Sequence, residues 1–252
     1  MLISLKGIDI NFERLGSGKP VLILHGWGCS ADTMRAVANY IAAVGREAVL
    51  LDFPGHGKSG KLSKPWGVDE YAELTEEFIE RQKLRGCDAL CHSFGARIAI
   101  LLAAKDPGIF GKLIFTGAAG IRPKRGLKYY VKVYCFKLAR TLSKVKFLDK
   151  LFRLTEKSGN AGSADYRALS GVMKTTFVKV VNKDLAPLLK NIGNETLLIW
   201  GSEDRETPLY MAKRMEREIK NSGLALIEGA GHFCFLDDYR RFCSIIKVML
   251  EG

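Results

Sequence analysis

The sequence predicts an α/β protein: a doubly wound, mostly parallel sheet with an antiparallel N-terminal edge hairpin and an inserted helical cap. Three observations predict it. Short apolar runs alternate with amphipathic stretches of helical length; the first two strand-like runs are separated by a single glycine; and the alternation stops between Ile121 and Lys190. A chain of 252 residues with 47% hydrophobic content can bury one sizeable core, whereas two equal domains would each be small.

Taken in order, Ile3 to Lys6 and Ile8 to Glu13 flank Gly7 and end at Gly16-Ser17-Gly18, which reads as a hairpin on a sheet edge. Gly16-Ser17-Gly18-Lys19-Pro20 is a turn and not a phosphate loop. It lacks the required spacing, and Pro20 has no N–H to give. Six runs then follow as strands: Pro20 to Leu24, Glu47 to Leu51, Ala89 to Cys91, Lys112 to Phe115, Thr196 to Trp200 and Leu224 to Ile227. They are nearly continuous in apolar residues, as expected of strands covered on both faces. Between them Ala31 to Val44, Val68 to Lys83, Phe94 to Lys105, Leu209 to Lys220 and Phe235 to Leu250 carry the apolar spacing of helices. Strand and helix in strict turn imply right-handed crossovers and a parallel sheet. Residues 1–120 and 191–252 therefore form the core, and residues 121–190 are a helical insertion, with Gly159 to Ser163 as a loop inside it.

Charge marks the same insertion. From Ile121 to Lys190 there are 17 Lys and Arg against 4 Asp and Glu, whereas the rest of the chain carries 22 against 23. Within it Lys128, Lys132, Lys146, Lys150, Arg153 and Lys157 recur near helical spacing, interleaved with Tyr129, Tyr130, Phe136, Phe147, Leu151 and Phe152. The reading that needs least is a lid whose apolar stripe covers a site while its lysines face water. Attraction to anionic lipid surfaces or acidic substrates is the second reading. Nucleic acid ranks last, because no binding motif accompanies the charge.

Other classes are excluded more simply. No basic region precedes a long apolar core at the N-terminus, and the longest purely apolar run, Ile98 to Ala104, is far short of a membrane span. The expectation is a soluble, cytoplasmic protein. The six cysteines contain no C-x-x-C pair and read as reduced thiols, neither a metal site nor a disulfide framework. The sequon Asn194-Glu195-Thr196 reads as chance.

In an open α/β sheet, reactive groups collect where strands end at their carboxyl side. Those ends here read His25-Gly26-Trp27-Gly28, then Asp52-Phe53-Pro54-Gly55-His56-Gly57, Cys91-His92-Ser93-Phe94-Gly95, Gly201-Ser202-Glu203-Asp204 and Gly229-Ala230-Gly231-His232-Phe233. Ser93 follows a strand and opens a helix, with a small residue two places on. This is the setting of a nucleophile on a tight turn near the positive end of a helix dipole. A helix N-cap is the plain alternative for a serine there. A serine hydroxyl needs a base to take its proton. Of the four histidines, His92 is adjacent to Ser93 along a strand, so its side chain points to the opposite face. His25 and His56 precede glycines in loops and suit backbone shaping. His232 lies after the last strand between glycines and is the best base. Asp204, with Glu203 beside it as a rival acid, could hold the His232 ring in one tautomer.

With these residues in view, the chain resembles the α/β-hydrolase family over nearly its whole length. Ser93, Asp204 and His232 come in that family's order of nucleophile, acid and histidine. His25 to Gly28, Asp52 to Ser59, Trp200 to Pro208 and Gly229 to Phe233 match its segments in the right sequence. The resemblance implies a catalytic triad of Ser93, Asp204 and His232, an oxyanion hole from the N–H groups of Trp27 and Phe94, and a lid formed by the basic insertion. One departure is Cys91, which stands at the first glycine of the usual G-x-S-x-G turn and reads as a packed residue, not a second nucleophile.

The activity expected from this is hydrolysis of a carboxylic ester with an apolar acyl or alkyl part, through an acyl-enzyme and with neither metal nor organic cofactor. A carbon–carbon bond hydrolase, a thioesterase, an amidase or an acyltransferase would use the same three residues. From other classes, a non-catalytic binder of a small ligand and an adaptor for membranes or nucleic acid are the rivals.

Overall fold

A computed structural model of the chain describes residues 1–123 and 169–251. Eight strands form one sheet: β1 (Leu2–Leu5), β2 (Ile8–Gly16), β3 (Pro20–Leu24), β4 (Glu47–Leu51), β5 (Cys87–His92), β6 (Phe110–Thr116), β7 (Thr196–Gly201) and β8 (Ser222–Ile227). Their order is β1-β2-β4-β3-β5-β6-β7-β8. Strands β1 and β2 pair antiparallel, as do β2 and β4, and every other pairing is parallel. The expected doubly wound sheet with its antiparallel edge hairpin is present.

Side-chain alternation along the apolar runs explains why helices cover both faces. Leu22, Leu24, Val49, Leu51, Ala89, Cys91, Leu113, Phe115, Leu198 and Trp200 belong to one buried cluster, packed against α2 (Val68–Arg81) and α3 (Phe94–Lys105). Val21, Ile23, Ala48, Leu50, Leu90, Ile114 and Ile199 belong to the other, against α1 (Arg35–Ala43) and the C-terminal helices. Residues one apart on a strand thus serve opposite cores, so a strand with no polar position is what a two-sided sheet requires. The edge strand β8 is only half-buried, as its position dictates.

Helix positions follow the apolar spacing, with two local differences. A 3₁₀ turn over Ala31–Met34 precedes α1, anchored where the Ala31 N–H donates to Asp52 Oδ1 at 2.7 Å. The stretch Phe235 to Leu250, expected as one helix, is two: α6 (Cys234–Asp237) and α7 (Tyr239–Glu251). Asp238 separates them because its short carboxylate competes for backbone donors and accepts the N–H of Arg241 at 3.1 Å. Of the inserted segment, α4 (Gly171–Asn182) and a 3₁₀ turn (Ala186–Asn191) are helical, and α5 (Leu209–Glu218) follows β7. The basic and aromatic residues from Lys128 to Lys157, Cys135 and the loop Gly159 to Ser163 lie outside the described residues.

Burial pushes the Cys91 thiol well above its usual range, as expected of a packed residue, and the Cys87, Cys234 and Cys243 thiols are also buried. Asn194 spends its amide on the carbonyls of Pro107, Phe110 and Gly111, a reason for that side chain unrelated to any sugar. No described helix is long and apolar enough to cross a membrane.

Candidate active site

Strand order decides which residues meet. The chain leaves β3 toward β4 on one side and later adds β5 on the other, so the sheet switches direction between β3 and β5. Leu24 and Cys91 are register partners there. The segments that follow them, Gly26-Trp27 and Ser93-Phe94, therefore emerge side by side. Beyond them, in order, come the ends of β6, β7 and β8, carrying Gly117, Asp204 and His232.

Ser93 occupies a strained turn, with φ +46° and ψ −104°, between the last residue of β5 and the first of α3. The strain is held from three sides. The Ser93 N–H donates to Thr116 O, and the Ser93 carbonyl accepts the N–H groups of Ala96 and Ala119. Gly95 is obligatory: a Cβ there would lie 2.3 Å from the Leu24 carbonyl oxygen, so α3 approaches β3 closely only because that atom is missing. Trp27 and Phe94 stack edge to face at 5.4 Å, and neither backbone N–H is taken by a hydrogen bond among the described residues.

Asp204 and His232, 28 residues apart, are joined by a hydrogen bond of 2.8 Å from Nδ1 to Oδ2. Asp204 is buried at 5% exposure and is fully engaged. Its Oδ1 accepts the N–H groups of Glu206 and Thr207, each at 2.9 Å, and its Oδ2 accepts the Thr207 hydroxyl at 2.8 Å. Burial alone would raise the Asp204 carboxyl; the hydrogen bonds from His232 and Thr207 outweigh it and hold the group below the usual carboxylate range. The loop carrying His232 is pressed onto the end of β7. A Cβ on Gly201 would meet the carbonyls of Ala230 and Gly231 at 2.3 and 2.2 Å, and the Glu203 N–H donates to Ala230 O. From there the imidazole reaches back over β6, against Gly117.

Ser93, His232, Trp27 and Phe94 all line one cavity of about 600 Å³, mostly apolar, with Phe177 and Val180 of α4 forming part of its wall. No hydrogen bond joins the Ser93 hydroxyl to His232 in this structure; Nε2 of His232 has Glu206 Oε2 at 3.6 Å instead. An Nδ1–H donated to Asp204 leaves Nε2 free to accept a proton on the cavity side.

The other histidines are buried and uncharged. His25 is pushed down to about 3, by burial first and by His56 second. It ties the loop after β3 to the loop after β4, accepting the Phe53 N–H on Nε2 and facing Gly26 O through Nδ1. His56 is lowered by burial. His92 is also pushed to about 3, by burial and then by His232. It points to the face opposite Cys91, against Phe235, yet its ring lies 4.9 Å from that of His232 and it lines the cavity. That contact, the glycine at 117, the Thr207 hydroxyl and a buried Arg97 in the cavity wall are site features that sequence reasoning missed. The first two depend on which strand ends are neighbours, the third on the fold of the loop after β7, and the fourth on the packing of α4 against α3.

The chain belongs to the alpha/beta hydrolase family, whose sequence pattern matches residues 21–245. It is 26% identical over 266 residues to the pimeloyl-[acyl-carrier protein] methyl ester esterase of Nitrosospira multiformis, covering 95% of this chain and 97% of that one. It is 25% identical over 251 residues to the 2-hydroxy-6-oxononadienedioate/2-hydroxy-6-oxononatrienedioate hydrolase of Escherichia coli K12, covering 90% of this chain and 86% of that one. Its fold is similar to that of an esterase from Exiguobacterium antarcticum, with TM-score 0.79 and 24% identity, over 100% of this chain and 99% of that one.

Proposed function

We propose that the protein is a serine hydrolase that cleaves a carboxylic ester through an acyl-enzyme. The observation that supports it most is the Asp204–His232 hydrogen bond, on a histidine that lines the same cavity as Ser93. Ser93 Oγ attacks the ester carbonyl while His232 Nε2 takes its proton; the C–O bond to the alcohol then breaks, and the alcohol leaves with that proton. Water repeats the sequence on the acyl-enzyme, giving its proton to His232, and releases the acid. Asp204 keeps Nδ1–H fixed and stabilises the imidazolium that forms at each step. The N–H groups of Trp27 and Phe94 receive the developing oxyanion, a contribution of about 2.7–4 kcal/mol for each donor. The apolar wall suits an acyl or alkyl chain. A relative named as a methyl ester esterase favours an ester over the other acyl compounds that such a triad attacks.

A fluorophosphonate probe with p-nitrophenyl butyrate turnover tests this reading. Labelling of one serine per chain, at Ser93, and loss of turnover in Ser93→Ala are expected. Full turnover by Ser93→Ala would overturn it.

A further inference from the structure

Helix α3 is apolar along its buried length except at Arg97, one turn beyond Ser93. Arg97 is only 6% exposed, yet among the described residues no carboxylate forms an ion pair with it. Of its five N–H donors, Nη1 donates to the Lys183 carbonyl at 2.9 Å. Asp184, the acid acting on it from a distance, is exposed, and its Oδ1 takes the N–H groups of Arg122 and Ala186. Burial lowers Arg97 to about 10, so it remains a cation at neutral pH. It belongs to the cavity wall beside Phe177, Val180, Val181 and Ile121. An ionised guanidinium in apolar surroundings is costly without a counter-charge, and its planar fork matches a carboxylate with two parallel hydrogen bonds.

We propose that Arg97 binds a carboxylate of the substrate, held a few bonds from the carbonyl that reacts at Ser93. The substrate class is then a half-ester of a short dicarboxylic acid, or an ester of a short hydroxy acid. The spacing follows from the helix: four residues of α3 rise ~6 Å, so Ser93 and Arg97 address two groups of one small molecule. A purely structural arginine would be explained by the Lys183 carbonyl at the end of α4, a favourable place for a cation. That bond uses one donor, and Arg97 is also one of the residues that line the cavity.

This inference deepens the ester-cleaving reading, which supplies the position of the reacting carbonyl. The test compares monomethyl glutarate with methyl pentanoate, and the acetyl ester of 3-hydroxypropanoate with propyl acetate, following acid release at constant pH. Wild type is expected to favour at least one anionic ester over its neutral partner by about tenfold or more in kcat/KM, mainly through KM. Which of the two anionic esters wins tells whether the carboxylate lies on the acid or the alcohol side. Arg97→Gln is expected to abolish that preference, and Arg97→Lys to keep part of it. Equal loss on charged and neutral esters in Arg97→Gln would assign Arg97 to the Lys183 contact alone and overturn the proposal. So would a wild type that turns over the charged and neutral esters of each pair equally well, which decides the matter even where Arg97→Gln fails to fold. Calorimetry on Ser93→Ala separates the two readings. Tighter binding of monomethyl glutarate than of methyl pentanoate, in a protein whose wild type cleaves neither, would sustain the anion site and sink ester hydrolysis.

Discussion

His232 rests on Gly117: a Cβ at residue 117 would stand 3.1 Å from Nδ1 of the imidazole and 3.2 Å from Cε1. The glycine follows directly after β6 with φ +52°, and its N–H donates to Ile199 O. It thereby leaves the histidine a seat between the ends of β5 and β7. Gly117→Ala adds left-handed strain of roughly 1–2 kcal/mol and pushes the ring outward by a few tenths of an ångström. Small misplacements of a reacting group are expensive in rate. The expected result is a kcat about tenfold lower with little change in KM. An unchanged kcat in the folded variant would show that the seat does not position the base.

Asp204→Asn tests the orientation of His232 by chemistry instead of sterics. The Oδ1 acceptors for Glu206 and Thr207 are preserved in asparagine, which places its NH₂ where Oδ2 now faces Nδ1. Two donors cannot face each other, so the ring shifts its proton to Nε2 and loses its base on the cavity side. A fall in kcat on the order of 10⁴ is expected, with the fold retained by circular dichroism. A loss below tenfold would remove Asp204 from the mechanism.

The turn at Ser93 carries a stability prediction of opposite sign to its activity. At φ +46° and ψ −104° a side chain is disfavoured, whereas glycine adopts such angles freely. Ser93→Gly is expected to be inactive and yet more stable than Ser93→Ala by on the order of 1 kcal/mol, a rise of roughly 2–4 °C in Tm. Equal melting temperatures would mean that the turn stores no strain.

These cases show which parts of the molecule could be read from sequence. Continuous runs such as Val21-Leu22-Ile23-Leu24 announce a strand buried on both faces, because each side chain meets a different core, and all six such runs are strands. Ser93, Asp204 and His232 were legible because each follows a strand, and a parallel sheet delivers all those ends to one edge. Gly117, Thr207 and Arg97 were not. Nothing near Gly117 in sequence requires a glycine; the requirement comes from an imidazole 115 positions away. Thr207 looks like a turn residue until Asp204 folds back on it, and Arg97 looks like an exposed helix residue until α4 covers it. The break at Asp238 was hidden because the apolar spacing runs through it.

The end of β5 opposite Ser93 holds the last prediction, which concerns pH. Asp88 is 1% exposed, and it accepts Arg46 Nη2 at 2.5 Å, the Lys112 N–H at 2.9 Å and Lys19 Nζ at 3.0 Å. Arg46 in turn donates to the carbonyls of Lys19 and Leu250, so the pair ties β3 and the C-terminal helix to the sheet. Burial by itself would raise the Asp88 carboxyl, but these donors outweigh it and hold the group below its usual range. A carboxyl whose pKa is lower folded than unfolded stabilises the fold above the unfolded value of about 3.9. It loses that contribution as pH falls through the folded value. Removing the charge leaves the nearly buried Arg46 uncompensated, so Asp88→Asn is expected to cost about 3–5 kcal/mol at pH 7 by urea unfolding. The gap from wild type should narrow steadily below about pH 4, because the wild type then loses the same charge. A gap that stays constant from pH 7 to pH 3 would show that packing around Asp88, not its ionisation, holds this end of the sheet.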